Sequence, residues 1–282
     1  MGIYYDLPDE QYRSMQGLSQ SRLKRLQESG YAFLDNPVYN EKALRIGSLT
    51  DMMALQPHLV TDNFVIPPDY SSDPGNVTAD GKKSSSKRTG YVRQRLSEFA
   101  SRNKGKTFVD PDEWDTASTL AHMVREKKFF KDFLADETGS TQVAFDGEIN
   151  GVHCKGLADG CTSNMLFDLK TTIHSGIKQF RSSAWKFGYI FQLRFYYELL
   201  LQNGYDFPMD NCYIIAAGKQ TPHDVTVFRI PVQWMDEAYD QILLLTERFK
   251  RLQSEGSFEV GQDFGAEYIY LNEDLDDGDI VL

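Results

Sequence analysis

Residues 156–172, GLADGCTSNMLFDLKTT, place Asp159, Asp168 and Lys170 in one short span. Within it, MLFDLK is a short apolar run of the kind that forms a buried strand. Alternation along a strand puts Leu166, Asp168 and Lys170 on one face and Met165, Phe167 and Leu169 on the other. Asp159 ends the preceding extended segment, just before the turn-like GCTSN, so a hairpin brings it beside Asp168. Carboxylates hold hard cations through oxygen, and a nearby lysine can orient or help deprotonate an activated water. Taken alone, an Asp-x-Lys is also an ordinary strand-edge salt pair. The sequence on either side decides between the two readings.

Upstream, residues 141–145 predict a strand, Asp146-Gly147-Glu148 a turn, and residues 152–159 an antiparallel return. With 165–170 this is a meander that delivers both aspartates to one end of a sheet. Downstream, residues 182–203 predict one long helix with Phe187, Ile190, Leu193, Tyr197 and Leu200 toward the core. Gln192 and Tyr196 stand four apart on a neighbouring face. Strands are expected at 212–217 and 225–230, and a closing amphipathic helix at 232–254. Toward the N-terminus, Ser19 or Ser21 caps a helix that stops near Gly30, and Asn36-Pro37 marks a loop. A helix over 42–55 sets Arg45, Ser48, Asp51 and Met52 near one stripe. A short strand at 64–66, a mobile polar loop over 69–90 and helices at 91–101, from Asp110-Pro111 to about 125, and at 128–135 complete the pass. No internal repeat and no linker interrupts residues 1–262, so one α/β domain is expected, followed by an acidic tail at 263–282.

Charged residues make up 25% and hydrophobic ones 41% of the 282 residues, an ordinary globular composition. No run approaches the roughly eighteen apolar residues of a membrane span. The N-terminal stretch lacks the basic and apolar regions of a secretion signal. Cys154, Cys161 and Cys212 are read as reduced and buried, in a cytoplasmic protein. No Gly-x-x-x-x-Gly-Lys-Ser/Thr loop is present, which argues against an ATP-driven motor. The net charge is −11, but seven of the acids lie in 263–282 without a base, leaving −4 for the rest. Residues 82–106 hold nine bases and one acid. A phosphate backbone responds to such a local patch rather than to the chain average, although a solvated basic loop has the same composition.

The order of strand, strand with Asp159, strand with Asp168-Leu-Lys170, and helix with Gln192-x-x-x-Tyr196 resembles the PD-(D/E)xK nuclease core. More narrowly it resembles the phage and prophage exonucleases of the exodeoxyribonuclease VIII (RecE) type. Leu18-Ser-Gln-Ser-Arg22, Arg45-Ile-Gly-Ser48, Gly151 to Asp159, Asp168-Leu-Lys-Thr-Thr172 and Gln192-Leu-Arg-Phe-Tyr196 carry that resemblance over roughly residues 15–255. It implies a restriction-endonuclease-like fold, a mixed central sheet flanked by helices. It implies that Asp159, Asp168 and the Leu169 carbonyl bind Mg²⁺ or Mn²⁺, that Lys170 positions the attacking water, and that Gln192 and Tyr196 hold the reacting groups in line. Two positions depart from the family. Asp51 stands where a histidine ligand is usual, and Gln142 stands where a glutamate is usual.

The activity so implied is metal-dependent exonuclease cleavage at double-stranded DNA ends, running 5′ to 3′ in a ring-shaped homo-oligomer and feeding a single-strand annealing recombinase. Arg45, Lys87 and Arg88 are the candidate phosphate contacts. A nicking or structure-specific endonuclease on the same fold, or a DNA-binding module that has lost catalysis, are the alternatives.

Overall fold

A computed structural model describes residues 1–35 and 40–261. The expected loop at Asn36-Pro37 and the acidic tail lie outside the described residues. The chain opens with β1 (Gly2–Tyr4), α1 (Asp9–Ser14), β2 (Leu18–Ser19), α2 (Gln20–Arg25), α3 (Gly30–Leu34) and α4 (Glu41–Leu55). A helical lobe follows: α5 (Val60–Asn63), β3 (Phe64–Val65), α6 (Gly90–Arg102), β4 (Thr107–Phe108), α7 (Pro111–Glu126) and α8 (Lys128–Ala135). Then come β5 (Ser140–Ile149), β6 (Val152–Thr162), β7 (Met165–Thr172), α9 (Ile177–Lys186), α10 (Tyr189–Gln202), β8 (Cys212–Gly218), β9 (Asp224–Arg229) and α11 (Val232–Glu255).

The main sheet has seven strands in the order β1-β5-β6-β7-β8-β9, with β2 on β6. The β7–β8 and β2–β6 pairs are parallel and the other neighbours antiparallel. This is the expected mixed sheet flanked by helices. One face is packed under α2, α10 and α11, with Phe145, Leu166, Phe195, Ile214 and Ile242 in the core. The other is packed under α4, α7 and α8, where Phe129, Phe130 and Phe133 surround the ring of Phe167. Each fully buried phenylalanine contributes about 2–3 kcal/mol. Phe167 and Leu169 thus anchor β7 from below, while Leu166 and Asp168 face the α10 side, as strand alternation predicts.

Four boundaries differ from the sequence reading. β6 runs on to Thr162 and pairs with β7 through Gly160, Cys161 and Thr162, so Asp159 lies inside the strand and the turn is only Ser163-Asn164 rather than GCTSN. The β5–β6 turn is Asn150-Gly151 rather than Asp146-Gly147-Glu148. Both turn residues have positive φ (51° and 76°), the conformation a two-residue hairpin turn requires and that Asn-Gly adopts readily. The single helix expected over 182–203 is two helices. Gly188, at φ 72°, breaks it between α9 and α10 and leaves Phe187 58% exposed instead of in the core. The helix capped by Ser19 ends at Arg25, and a second, capped by Ser29, starts at Gly30. The backbone carbonyl of Val260 also accepts from the Gly30 N–H, so the end of the described chain closes over α3.

The loop before α6 is built around Asn76, which is 1% exposed. Its amide donates to the carbonyls of Ser71 and Ser86, and it accepts from the Thr89 hydroxyl. A buried amide with all these partners ties down a polar segment that has no core of its own.

Candidate active site

β6 and β7 pair only at Gly160–Phe167, Cys161–Leu166 and Thr162–Met165. Beyond those rungs the two strands part. β6 pairs instead with β2 at Cys154 and Lys155, and β7 runs on beside β8 to Thr172. Asp159 spans the start of the gap, its Oδ2 accepting from the Leu169 N–H at 2.7 Å. A strand residue presents its N–H and C=O to the same side, so the Leu169 carbonyl also faces the gap.

Helices close the gap from both sides of the sheet. On α4, a Cβ at Gly47 would lie 3.2 Å from Thr171 Oγ1, so the glycine lets the helix lie close on β7. Asp51, one turn later, is carried into electrostatic range of Asp159, Asp168 and Lys170. On α10, Gln192 Nε2 donates to Asp168 Oδ1 at 2.7 Å and to the Tyr196 hydroxyl at 3.2 Å. Tyr196 reaches that point because Gly156 leaves room. A Cβ there would meet the Phe145 ring at 2.3 Å and Tyr196 at 2.9 Å. Lys170 Nζ lies 2.6 Å from Asp168 Oδ2 and 5.3 Å from the centre of the Tyr189 ring.

The acids are frustrated. Burial, the largest cause, pushes Asp168 up to about 7; Asp159 adds to the rise and Lys170 opposes it. Asp159 is also raised, mainly by burial, with Lys170 and the Leu169 N–H pulling it down. Asp51 is raised well above the usual carboxylate range by burial and then by Asp159. Burial acts to lower Lys170, but Asp168 and Asp159 outweigh it and hold the ammonium protonated. Three carboxylates facing one ammonium leave a deficit of positive charge.

Among the described residues, no three His, Cys, Asp or Glu side chains are gathered at ligating distance. The carboxylates are engaged by Lys170, Gln192, Gln142 and the Leu169 N–H instead. The donor set nonetheless suits a hard divalent cation. It consists of oxygens, it lacks compensating charge, and Asp51 Oδ1 is buried with no hydrogen-bond partner.

The family model for the PDDEXK-like domain of unknown function, DUF3799, matches residues 12–261. The chain belongs to this family. Its membership bears out the PD-(D/E)xK resemblance and, with the fold, supports a nuclease. A solved structure from Eubacterium rectale, described as a "putative exonuclease", is similar over 95% of this chain and 96% of its own, with TM-score 0.60 and 16% identity. At that identity the likeness is one of fold. A second, SSO0001, covers 73% of this chain and 86% of its own at 15% identity, but its TM-score of 0.29 supports no comparison. No curated protein matches the sequence.

The gap brings together Asp159, Asp168, Lys170, Gln192, Tyr196 and the Leu169 backbone, with Asp51 in electrostatic range of the acids. It does not gather the three proposed phosphate contacts. Arg45 forks onto Glu113 between α4 and α7, at 3.1 and 2.6 Å. Lys87 lies exposed, 3.1 Å from Asp69. Arg88 is exposed on the loop before α6. His153, which simple alternation puts on the face of Asp159, bonds Asp146 at 2.9 Å. Tyr189 was not legible as a site residue. Its only signal is the glycine before it, which restarts the helix three residues ahead of Gln192. Among the described residues, no helix is long and apolar enough to cross a membrane.

Proposed function

We propose that this chain is a divalent-metal-dependent deoxyribonuclease that hydrolyses phosphodiester bonds at double-stranded DNA ends. The observation that carries this reading is the convergence of Asp51, Asp159, Asp168 and Lys170 where β6 and β7 part. Asp51, Asp159, Asp168 and the Leu169 carbonyl are the groups that would hold Mg²⁺ or Mn²⁺. Such a cation supplies positive charge against the phosphate and makes water a stronger acid. Lys170, held protonated, places a further positive charge beside the scissile phosphate. Gln192 spends both amide hydrogens, one on Asp168 and one on Tyr196, and so fixes the rotamer of the acid. The Tyr196 hydroxyl accepts from Gln192 and keeps its own hydrogen for the substrate.

The description of the Eubacterium rectale structure supports an exonuclease over an endonuclease. Resection from 5′ to 3′ in a homo-oligomeric ring, with a single-strand annealing recombinase taking up the product, extends this reading from the family resemblance. Residues 82–106 are the proposed contact to the duplex backbone, through Lys87 and Arg88.

The test is linear duplex labelled at either the 5′ or the 3′ end, incubated with and without Mg²⁺. Release of the 5′ label first, and only with the metal, is expected. Cutting of covalently closed circles would favour the endonuclease alternative. Absence of cleavage on every substrate would favour the non-catalytic one.

A further inference from the structure

The β5–β6 hairpin reverses its pleat at the site. Val143 and Phe145 on β5, and Cys154 and Ala158 on β6, face the core under α10. Thr141 faces the opposite layer, where its hydroxyl donates to the Leu55 carbonyl of α4. A Cβ on Gly160 would point into the ring of Phe167 on that same opposite side. Yet the offset is the same on either side, with Thr141 opposite Gly160 and Val143 opposite Ala158, and the ladder skips only the position between them. Both strands therefore change face across that skipped position, at Gln142 and Asp159. At that point Asp159 points neither up nor down but along the sheet, toward Leu169 of β7.

Gln142 accomplishes this with an unusual backbone. Its φ is 52°. Of the described non-glycine residues with positive φ, Asn150 forms the hairpin turn and Asp6 lies before α1. Gln142 alone is inside a strand, where no turn calls for it. Its side chain is turned onto the acid, Nε2 donating to Asp159 Oδ1 at 3.1 Å. With the Leu169 N–H on Oδ2, each oxygen of Asp159 has one protein donor, and the carboxylate is held at a defined angle in the gap.

We infer that Gln142 is a positioning residue, whose strained backbone and amide together aim Asp159 into the gap between β6 and β7. The inference rests on the proposed reading that Asp159 holds a divalent cation. Outer partners of this kind orient a ligand and set its affinity, and backbone strain persists where function requires it.

Two variants test it, with Mn²⁺ alone as the probe and no DNA present. Gln142→Met keeps the size of the side chain and removes the donor. Gln142→Gly removes the donor and relieves the positive φ. Mn²⁺ affinity, followed by titration calorimetry and by electron paramagnetic resonance of the free ion, is expected to fall roughly tenfold or more in both. Metal-free Gln142→Gly is expected to melt no lower than the wild type. A merely structural residue would lower the melting temperature whenever it lowered affinity. Unchanged Mn²⁺ affinity in both variants overturns the inference, as does a Gln142→Gly protein that melts lower. A wild-type chain that binds no Mn²⁺ overturns the metal reading itself and the inference with it. The tests stay separable, since the first two results leave wild-type binding intact.

Discussion

Helix α4 buries charge in two places less than two turns apart, and they are built on opposite principles. Arg45 meets Glu113, whose side chain is fully buried, in a two-bond fork. Glu113 also closes the capping box of α7 by accepting from the Asp110 N–H. Every charge there has its partner, and the pair knits two helices together. Asp51 meets two other acids and one ammonium, and one of its oxygens has no partner at all. Balanced charge makes a joint. Unbalanced negative charge, held in place by a well-packed sheet, is what a divalent cation would neutralise.

The sharpest way to break this contrast is to remove one acid from the open cluster. Asp168→Asn keeps the shape and loses the charge. Nuclease activity on linear duplex is expected to fall about 10³-fold, several kcal/mol of lost transition-state stabilisation. The melting temperature should hold or rise, because a buried repulsion is gone. A variant that cleaves at the wild-type rate would return Asp168-x-Lys170 to the status of a strand-edge salt pair.

The closed pair should behave in the reverse manner. Arg45→Ala strands a buried carboxylate and is expected to cost about 3 kcal/mol in urea unfolding. Arg45→Met with Glu113→Leu should recover part of that loss, since replacing both partners leaves no orphan charge, although the Asp110 N–H of the capping box loses its acceptor. If Arg45→Ala instead folds as stably as wild type and loses DNA affinity, the residue is a phosphate contact.

A pH series sharpens the same point. The hydrogen bonds from Arg45 hold the Glu113 carboxyl below its ordinary value, against the opposing effect of burial. A group with a depressed folded pKa stabilises the protein above its unfolded value. That contribution is expected to disappear as pH falls below the ordinary 4.5 of a glutamate. The Arg45→Met, Glu113→Leu protein should lack this component of acid destabilisation in denaturant titrations. An identical acid limb in both proteins would show that the pair contributes nothing.

The smallest effect is expected on the exposed loop. Lys87→Ala and Arg88→Ala should each weaken duplex binding evenly across sequences. Each should also reduce the slope of log affinity against log salt by about one. Unchanged slopes would leave residues 82–106 as a solvated basic face.

The residues of the site were legible in advance because each sits in a local pattern. Asp168 and Lys170 lie two apart on a strand, and Gln192 and Tyr196 four apart on a helix, so period alone places each pair on one face. Asp51 lies near a helix stripe, and the family resemblance puts it where a histidine ligand is usual, but neither shows how close it comes to the other acids. Its entry into the cluster depends on Gly47 packing against Thr171, a contact between segments more than a hundred residues apart in sequence. Arg45 was misleading for a related reason, since its partner Glu113 is also distant. The hairpin turn and the α9–α10 break were legible in principle at Asn150-Gly151 and Gly188, because positive φ favours those residue types.

Sequence by itself determined the class of fold, the strands and helices that bear the acids, the lysine and the glutamine, and the chemistry those groups can perform. Periodicity and residue type are local properties, and these features are local. Only the tertiary structure decided that β6 and β7 part after three rungs, that Asp159 lies along the sheet rather than above it, and that Asp51 comes into electrostatic range of the other acids. Those depend on where distant segments stop pairing and on which glycine lets a helix approach. Strand alternation, followed without a break, points Asp159 to one face of the sheet. The positive φ at Gln142 turns it into the gap.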